Sequence, residues 1–165
     1  MKNVKYITAT GVFATLIMIM TAYICHVPIG VNGGYIHFGD TLIYLAAALL
    51  PTPYALVAAA IGGGMADLLT APVWAPATII IKMLITVPFT SKKGKMLNVR
   101  NSVALVIGCA ITVLGYFVAE TIMFGQWKVA VLSMPQNLVQ AVGSAVFFII
   151  LSFALDKAGV KRRFF

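Results

Sequence analysis

The sequence predicts an all-α integral membrane bundle of six transmembrane helices with both termini cytoplasmic, and three observations carry that prediction. The 165 residues are 61% hydrophobic and only 10% charged, where an ordinary soluble domain carries about 25% charged residues. Apolar runs near the length that spans a bilayer recur along the whole chain. Basic residues cluster in alternate connections between those runs, the pattern that orients membrane helices. A net charge of +8 so distributed points to membrane topology rather than to nucleic acid. The chain is expected to form one membrane domain over residues 1–165.

The chain starts with a short basic stretch, and residues 6–25 form the first apolar run of about 20 residues. That run exceeds the usual 7–15 residues of a signal-peptide core, and no small-x-small cleavage site follows it, so it reads as a retained helix. HVPIGVNGGYIHF, residues 26–38, holds three Gly and one Pro but no Lys or Arg, and reads as an external loop. Its glycines Gly30, Gly33 and Gly34 suit a lid over the outer mouth.

The second helix is expected over residues 39–50, short for a full span, and Pro51-Thr52-Pro53 ends it. The third is expected over 54–69 and is broken by TAPVWAP from the fourth, over 77–89. The basic loop SKKGKMLNVR follows, then a fifth helix over 102–124, the connection GQWKVAVLSMP, a sixth helix over 136–155 and the tail DKAGVKRRFF.

With the N-terminus cytoplasmic, Lys2, Lys5, Lys92, Lys93, Lys95, Arg100, Lys157, Lys161, Arg162 and Arg163 fall on the cytoplasmic side, Lys128 falls outside, and Lys82 lies within a helix. That orientation puts Asp40, Asp67, Lys82, Glu120, Asn137 and Gln140 in the outer half of the membrane. A charge near the bilayer centre costs about 2.5–3.5 kcal/mol on insertion scales, so such groups face a partner, a cavity or a ligand. Thr112, Tyr116 and Glu120 recur at helical spacing in the fifth helix, and Asn137, Gln140 and Ser144 in the sixth, so each set forms one polar stripe.

Each candidate has a structural reading beside the functional one. Asp67 and Lys82 are either a buried ion pair joining the third and fourth helices or ligand contacts. Asn137 and Gln140 are either ligand contacts or interhelical hydrogen-bonding groups. Asp40 beside Gly39 is either a site residue or the cap of the second helix. Tyr35, Trp74 and Trp127 suit the interfacial aromatic belt and equally a stacking wall for a planar ligand. His26 and His37 lack a third metal ligand at a recognisable spacing, and Cys25 with Cys109 forms no disulfide framework, so no metal and no cofactor is expected. Gly62, Gly63 and Gly64 in mid-helix point first to close helix packing and second to backbone opening near Asp67. Thr10 with Ala14, and Gly11 with Thr15, give the first helix a smooth face that Ala9 extends.

The order GYIHFGDTLIYLAAALLP, GGGMADLL, APVWAPATIIIK and, near the end, MPQNLVQA resembles the substrate-binding S component of energy-coupling-factor (ECF) vitamin transporters, in the riboflavin-type and hydroxymethylpyrimidine/pyridoxine-type group. The likeness covers almost the whole chain. It implies a six-helix protein that captures a vitamin outside the cell, then associates with a transmembrane T subunit and two cytoplasmic ATPases. It also implies that the small-residue face of the first helix, here Ala9, Thr10 and Ala14, docks the T subunit. The family's alanine-based first-helix signature is partly threonine and glycine here, TATGVFAT, and no GxxxxGK[ST] motif is present, so the chain has no ATPase of its own.

The candidate ligand contacts are then Tyr35, His37, Asp40, Asp67, Trp74, Lys82, Tyr116, Glu120, Asn137 and Gln140. The expected ligand is a small planar polar heterocycle, with pyridoxine (vitamin B6) or hydroxymethylpyrimidine preferred to riboflavin. A small intramembrane enzyme using Asp40 and Asp67 as acid and base is a rival class, as is a stand-alone facilitator. The sequence has no Ser/His dyad, HExxH motif or inverted repeat to support either.

Overall fold

The structure is a computed structural model that describes residues 2–24, 26–28 and 35–164. Helix α1 (Lys2–Ile19) runs into a π-helical turn, Met20–Ile24. Strands β1 (Val27–Pro28) and β2 (Tyr35–Ile36) pair antiparallel, Val27 against Ile36 and Pro28 against Tyr35. The connection expected to be wholly irregular therefore has hairpin-paired ends. Gly30, Gly33 and Gly34, on which the expected lid rests, lie outside the described residues, as does Cys25.

Helices α2 (Gly39–Leu49), α3 (Thr52–Thr70), α4 (Ala75–Thr86), α5 (Val99–Phe124), α6 (Trp127–Lys157) and the short α7 (Val160–Phe164) complete the fold, with one 3-10 turn, Pro72–Trp74. Among the described residues, four helical stretches are long and apolar enough to cross a membrane: Asn3–Ile24, Thr52–Thr70, Val99–Phe124 and Trp127–Lys157. Helix α2, at 11 residues, spans only about 16 Å of a hydrocarbon core about 30 Å thick.

Its surroundings explain how so short a helix is stable. In α1–α3–α4–α5–α6 each helix packs on the next, and α2 lies inside this wall, touching α1, α3, α4 and α6. Every residue of α2 except Leu42 is buried. At its C-terminal end, where carbonyls lack helical partners, the buried Lys161 donates to Ala48 O at 2.7 Å, a cation placed at the negative end of a helix. Burial pushes the Lys161 pKa down, against an upward pull from Asp156. Below the middle of α2, Tyr44 stacks on Phe89 at 5.2 Å, and both meet Phe148 edge-on.

The basic connection before α5 is ordered by two buried or part-buried anchors. Asn101 accepts from Thr90 N and donates to Thr90 O and Met96 O. The Asp156 carboxylate accepts from the backbone N–H groups of Met96 and Leu97 at 2.9 and 3.0 Å. Asn98 caps α5 by accepting from Asn101 N, and Gly125 ends it in the left-handed conformation, φ 67°.

The glycine triplet of α3 serves packing on two sides. A Cβ on Gly62 would meet Ile17 Cβ at 2.7 Å and Ala14 O at 2.8 Å, both on α1. On the other side a Cβ on Gly63 would meet Lys82 Cγ at 3.0 Å, and one on Gly64 would meet Ile79 at 2.7 Å. Close packing is thus the reason for the triplet, and Gly63 makes room for the Lys82 stem beneath the site.

Helix α6 begins nine residues before the expected boundary and carries Pro135 inside it. Proline removes one backbone donor and crowds the preceding turn, but that turn is held by tertiary contacts: Ala130 is fully buried and Ser133 bonds α5. Membrane helices tolerate internal proline where neighbouring groups compensate in this way. The outward faces are apolar, with Val106, Leu114 and Ile122 of α5 and Leu132, Val139 and Ile150 of α6 more than half exposed, as a lipid-facing surface requires.

Candidate functional site

The C-terminal end of α3, the start of α4, the C-terminal half of α5 and the N-terminal half of α6 meet at one end of the bundle. Between them lies a cavity with about 480 Å³ of empty space, mouth included, lined by His37, Asp67, Trp74, Thr78, Tyr116, Glu120, Ser133, Gln136, Asn137 and Gln140.

The floor is a buried ion pair. Lys82 Nζ lies 2.6 Å from Asp40 Oδ1, with the two side chains 1% and 0% exposed. Lys82 therefore pairs with Asp40 of α2, not with Asp67 as the third-to-fourth-helix reading had it. Asp67 lines the cavity above. Nor does Asp40 cap its helix: the cap residue is Phe38, without a side-chain bond, and the Asp40 carboxylate turns to Lys82 and to Gln140, whose Nε2 donates to Oδ2 at 3.4 Å. The Lys82 ammonium also lies 5.3 Å from the centre of the Tyr116 ring, a cation–π distance.

Gln140 is fixed by both ends of its amide. Its Oε1 accepts from the backbone N–H of His37 at 3.3 Å, so one side chain of α6 ties the ion pair to the segment entering α2. The His37 ring accepts from Gly39 N–H through Nδ1 at 3.0 Å, satisfying a backbone donor at the start of α2. Burial, aided by the Lys82 charge, pushes its pKa down to about 3. The ring is therefore neutral, and with Nδ1 accepting, its proton sits on Nε2.

The walls are aromatic and polar. Trp74 meets Tyr116 at 6.0 Å and Phe124 at 5.7 Å between ring centres. The Tyr116 and Thr78 hydroxyls lie 2.9 Å apart in a hydrogen bond, and Ser133 O–H donates to Glu120 Oε1 at 3.0 Å. These pairs hold α4 to α5 and α5 to α6 at cavity depth.

Of the sequence candidates, His37, Asp67, Trp74, Tyr116, Glu120, Asn137 and Gln140 line the cavity, while Asp40 and Lys82 are closed off beneath it. The Tyr35 side chain lies outside the described residues. Trp127 is exposed and pairs with the Lys128 ammonium at 5.9 Å, away from the lining. Sequence reasoning missed Thr78, Ser133 and Gln136. Thr78 stands one turn before Lys82, and Ser133 and Gln136 continue the Asn137/Gln140 stripe by helical spacing; for Ser133 that signal was hidden by taking Pro135 as a helix boundary, whereas Gln136 opened the expected helix. On α1, Thr10 and Ala14 are buried, Ala14 against Gly62 of α3, and Ala9 is half-buried. Gly11 and Thr15 face outward.

A family model described as "ECF-type riboflavin transporter, S component" matches residues 1–157. The chain is also 31% identical over 140 residues to an "Uncharacterized protein in gap 3'region" of Pyrococcus woesei, covering 84% of this chain and 93% of that protein. Because the family match runs from the first residue through every long helix to the end of α6, this chain belongs to the S-component family of ECF-type riboflavin transporters.

Proposed function

We propose that this multi-pass membrane protein captures a B-group vitamin or vitamin precursor from outside the cell and presents it to an ECF module, a transmembrane T subunit with two cytoplasmic ATPases. The cavity carries the reading. It offers aromatic rings for stacking a planar heterocycle, and amides and carboxylates for reading its edge, over a buried ion pair that fixes its floor. A pyridoxine or hydroxymethylpyrimidine type of ligand is preferred. Riboflavin is the second reading, favoured by the description of the matching family. In such a protein the acid pair Asp40 and Asp67 has no catalytic duty; Asp40 neutralises Lys82, and Asp67 faces ligand.

The proposed topology is six spans, both termini cytoplasmic and the cavity open to the outside. Lys92, Lys93, Lys95, Lys157 and Lys161 gather at the end remote from the cavity, and Lys128 near its mouth, which supports that orientation. With Cys25 and Cys109 replaced by alanine, a cysteine at Lys128 is expected to label from outside and one at Lys93 only from inside. Labelling of both from one side would contradict the topology. Docking to the T subunit is proposed through the small-residue face of α1, Ala9, Thr10 and Ala14, with Gly11 and Thr15 exposed beside it and Ala14 packed on Gly62 of α3.

A thermal-shift panel of B-group vitamins on the purified protein tests the capture reading, with stabilisation by at least one member expected. For that ligand, Gln140→Ala and Asn137→Ala should each weaken binding about five- to 150-fold, the equivalent of about 1–3 kcal/mol for a polar partner left unpaired in a dry site. Titration calorimetry reads the change; unaltered affinity in both variants would remove α6 from the site.

A further inference from the structure

At the end of the bundle remote from the cavity, a second hollow holds about 600 Å³ of empty space, mouth included, between the connection before α5 and the turn from α6 to α7. Three of its lining residues are cations, Lys95, Lys161 and Arg162, against one carboxylate, Asp156. That carboxylate is turned to the backbone: its two oxygens accept from the N–H groups of Met96 and Leu97, which fixes the connection beside the hollow. Gly159, at φ 68°, turns the chain between α6 and α7. The Arg162 guanidinium lies back over that turn, with Nη2 3.6 Å from where a Cβ on Gly159 would stand.

Lys161 is the reason to expect an anion here. It is 8% exposed, and among the described residues its ammonium has one hydrogen-bond partner, the Ala48 carbonyl at the end of α2, and no ion-pair partner. A carbonyl dipole offsets only part of the cost of burying a charge, and a countercharge in reach offsets more. Asp156 supplies only a longer-range attraction. We propose that this hollow binds the phosphate of an anionic membrane lipid, with Lys95, Lys161 and Arg162 supplying the positive charge. Arg meets a phosphate through paired N–H groups and Lys meets it as a point charge, and basic pockets at the cytoplasmic ends of membrane helices hold anionic headgroups. The surroundings select a lipid over a soluble phosphate. Phe153, one turn before Asp156 and Lys157 on α6, and Val99, at the start of α5, are 66% and 83% exposed, so apolar surface suited to acyl chains ends where the cations begin. Lys92, Lys93, Lys157 and Arg163 are exposed in the same segments and draw an anionic leaflet to this end. The proposal needs the chain to span a membrane but does not depend on vitamin capture.

Native mass spectrometry of the delipidated, ligand-free protein in detergent tests it, with palmitoyl-oleoyl phosphatidylglycerol titrated against phosphatidylcholine of the same chains. Phosphatidylglycerol is expected to bind at least about tenfold more tightly. Because Lys161 also holds the end of α2, the exposed cations are the ones to remove. The Lys95→Ser/Arg162→Ser variant, checked for folding by its thermal transition, should reduce the preference to about twofold or less. Lys92→Ser/Lys93→Ser, which takes two cations from the same connection but outside the lining, should keep it. Equal binding of the two lipids by the wild type, or a preference that survives in the Lys95/Arg162 variant, would overturn the proposal. Equal loss in both variants would overturn it too, since attraction would then be spread over the basic surface rather than held in the hollow. Displacement of bound phosphatidylglycerol by millimolar inorganic phosphate would give the hollow to a soluble phosphate and overturn the lipid assignment.

Discussion

Lys82→Met is expected to destabilise the ligand-free protein by about 3–5 kcal/mol, because it leaves Asp40 without its countercharge in the middle of the bundle. Both side chains are almost fully enclosed, 1% and 0% exposed, and Gln140 alone, at 3.4 Å, is a poor substitute for an ammonium at 2.6 Å. Asp40→Asn should do similar damage from the other side by stranding Lys82, whose stem is hemmed in by Gly63. The combined Asp40→Asn/Lys82→Met variant should recover much of the loss, since removing both charges removes the burial cost as well as the attraction. Thermal unfolding in detergent, without ligand, reads all three. A double variant no more stable than either single one would show that the pair does more than neutralise itself.

Gly62→Val should have the next largest effect on the fold. Even a single Cβ there would approach Ala14 O to 2.8 Å and Ile17 Cβ to 2.7 Å. Neither can yield without moving α1, because one is backbone and the other is the root of its side chain. Overpacking of this kind costs about 1–3 kcal/mol, occasionally more. Gly11→Ala, on the same helix pair but with nothing within 4 Å of the added carbon, should be neutral or stabilising by up to about 1 kcal/mol through helix propensity. Equal loss in both variants would argue against a tight α1–α3 seam.

Much of this molecule is legible in its sequence because membranes restrict the choices. Long apolar runs allow little but helices, and charges inside them must converge on partners, which is how Asp40, Asp67, Lys82, Glu120 and Gln140 could be grouped before any coordinates. Which charge met which was not legible. Lys82 chooses Asp40 over Asp67 because α2 lies inside the wall of the other helices, and no local pattern in Gly39–Leu49 beyond its shortness announces that. Pro135 hid the start of α6, and with it Ser133, because a proline's local penalty says nothing of the neighbours that compensate it. Likewise the Thr10/Ala14 spacing marked a close helix contact correctly in kind, but the partner inside the chain is Gly62, a residue 48 positions from Ala14.

The central claim is that the cavity between α3, α4, α5 and α6 is where ligand is held. Asn137→Trp tests it most directly. Asn137 is half-buried on the lining, so an indole there would fill the space without entering the packed floor of Asp40 and Lys82. Titration calorimetry of the wild-type and variant proteins with the vitamin that most stabilises the wild type is the measurement. The account predicts one saturable site in the wild type, and a variant that melts at nearly the same temperature but no longer binds. Undiminished binding by the folded variant would contradict it, because the ligand would then be held elsewhere.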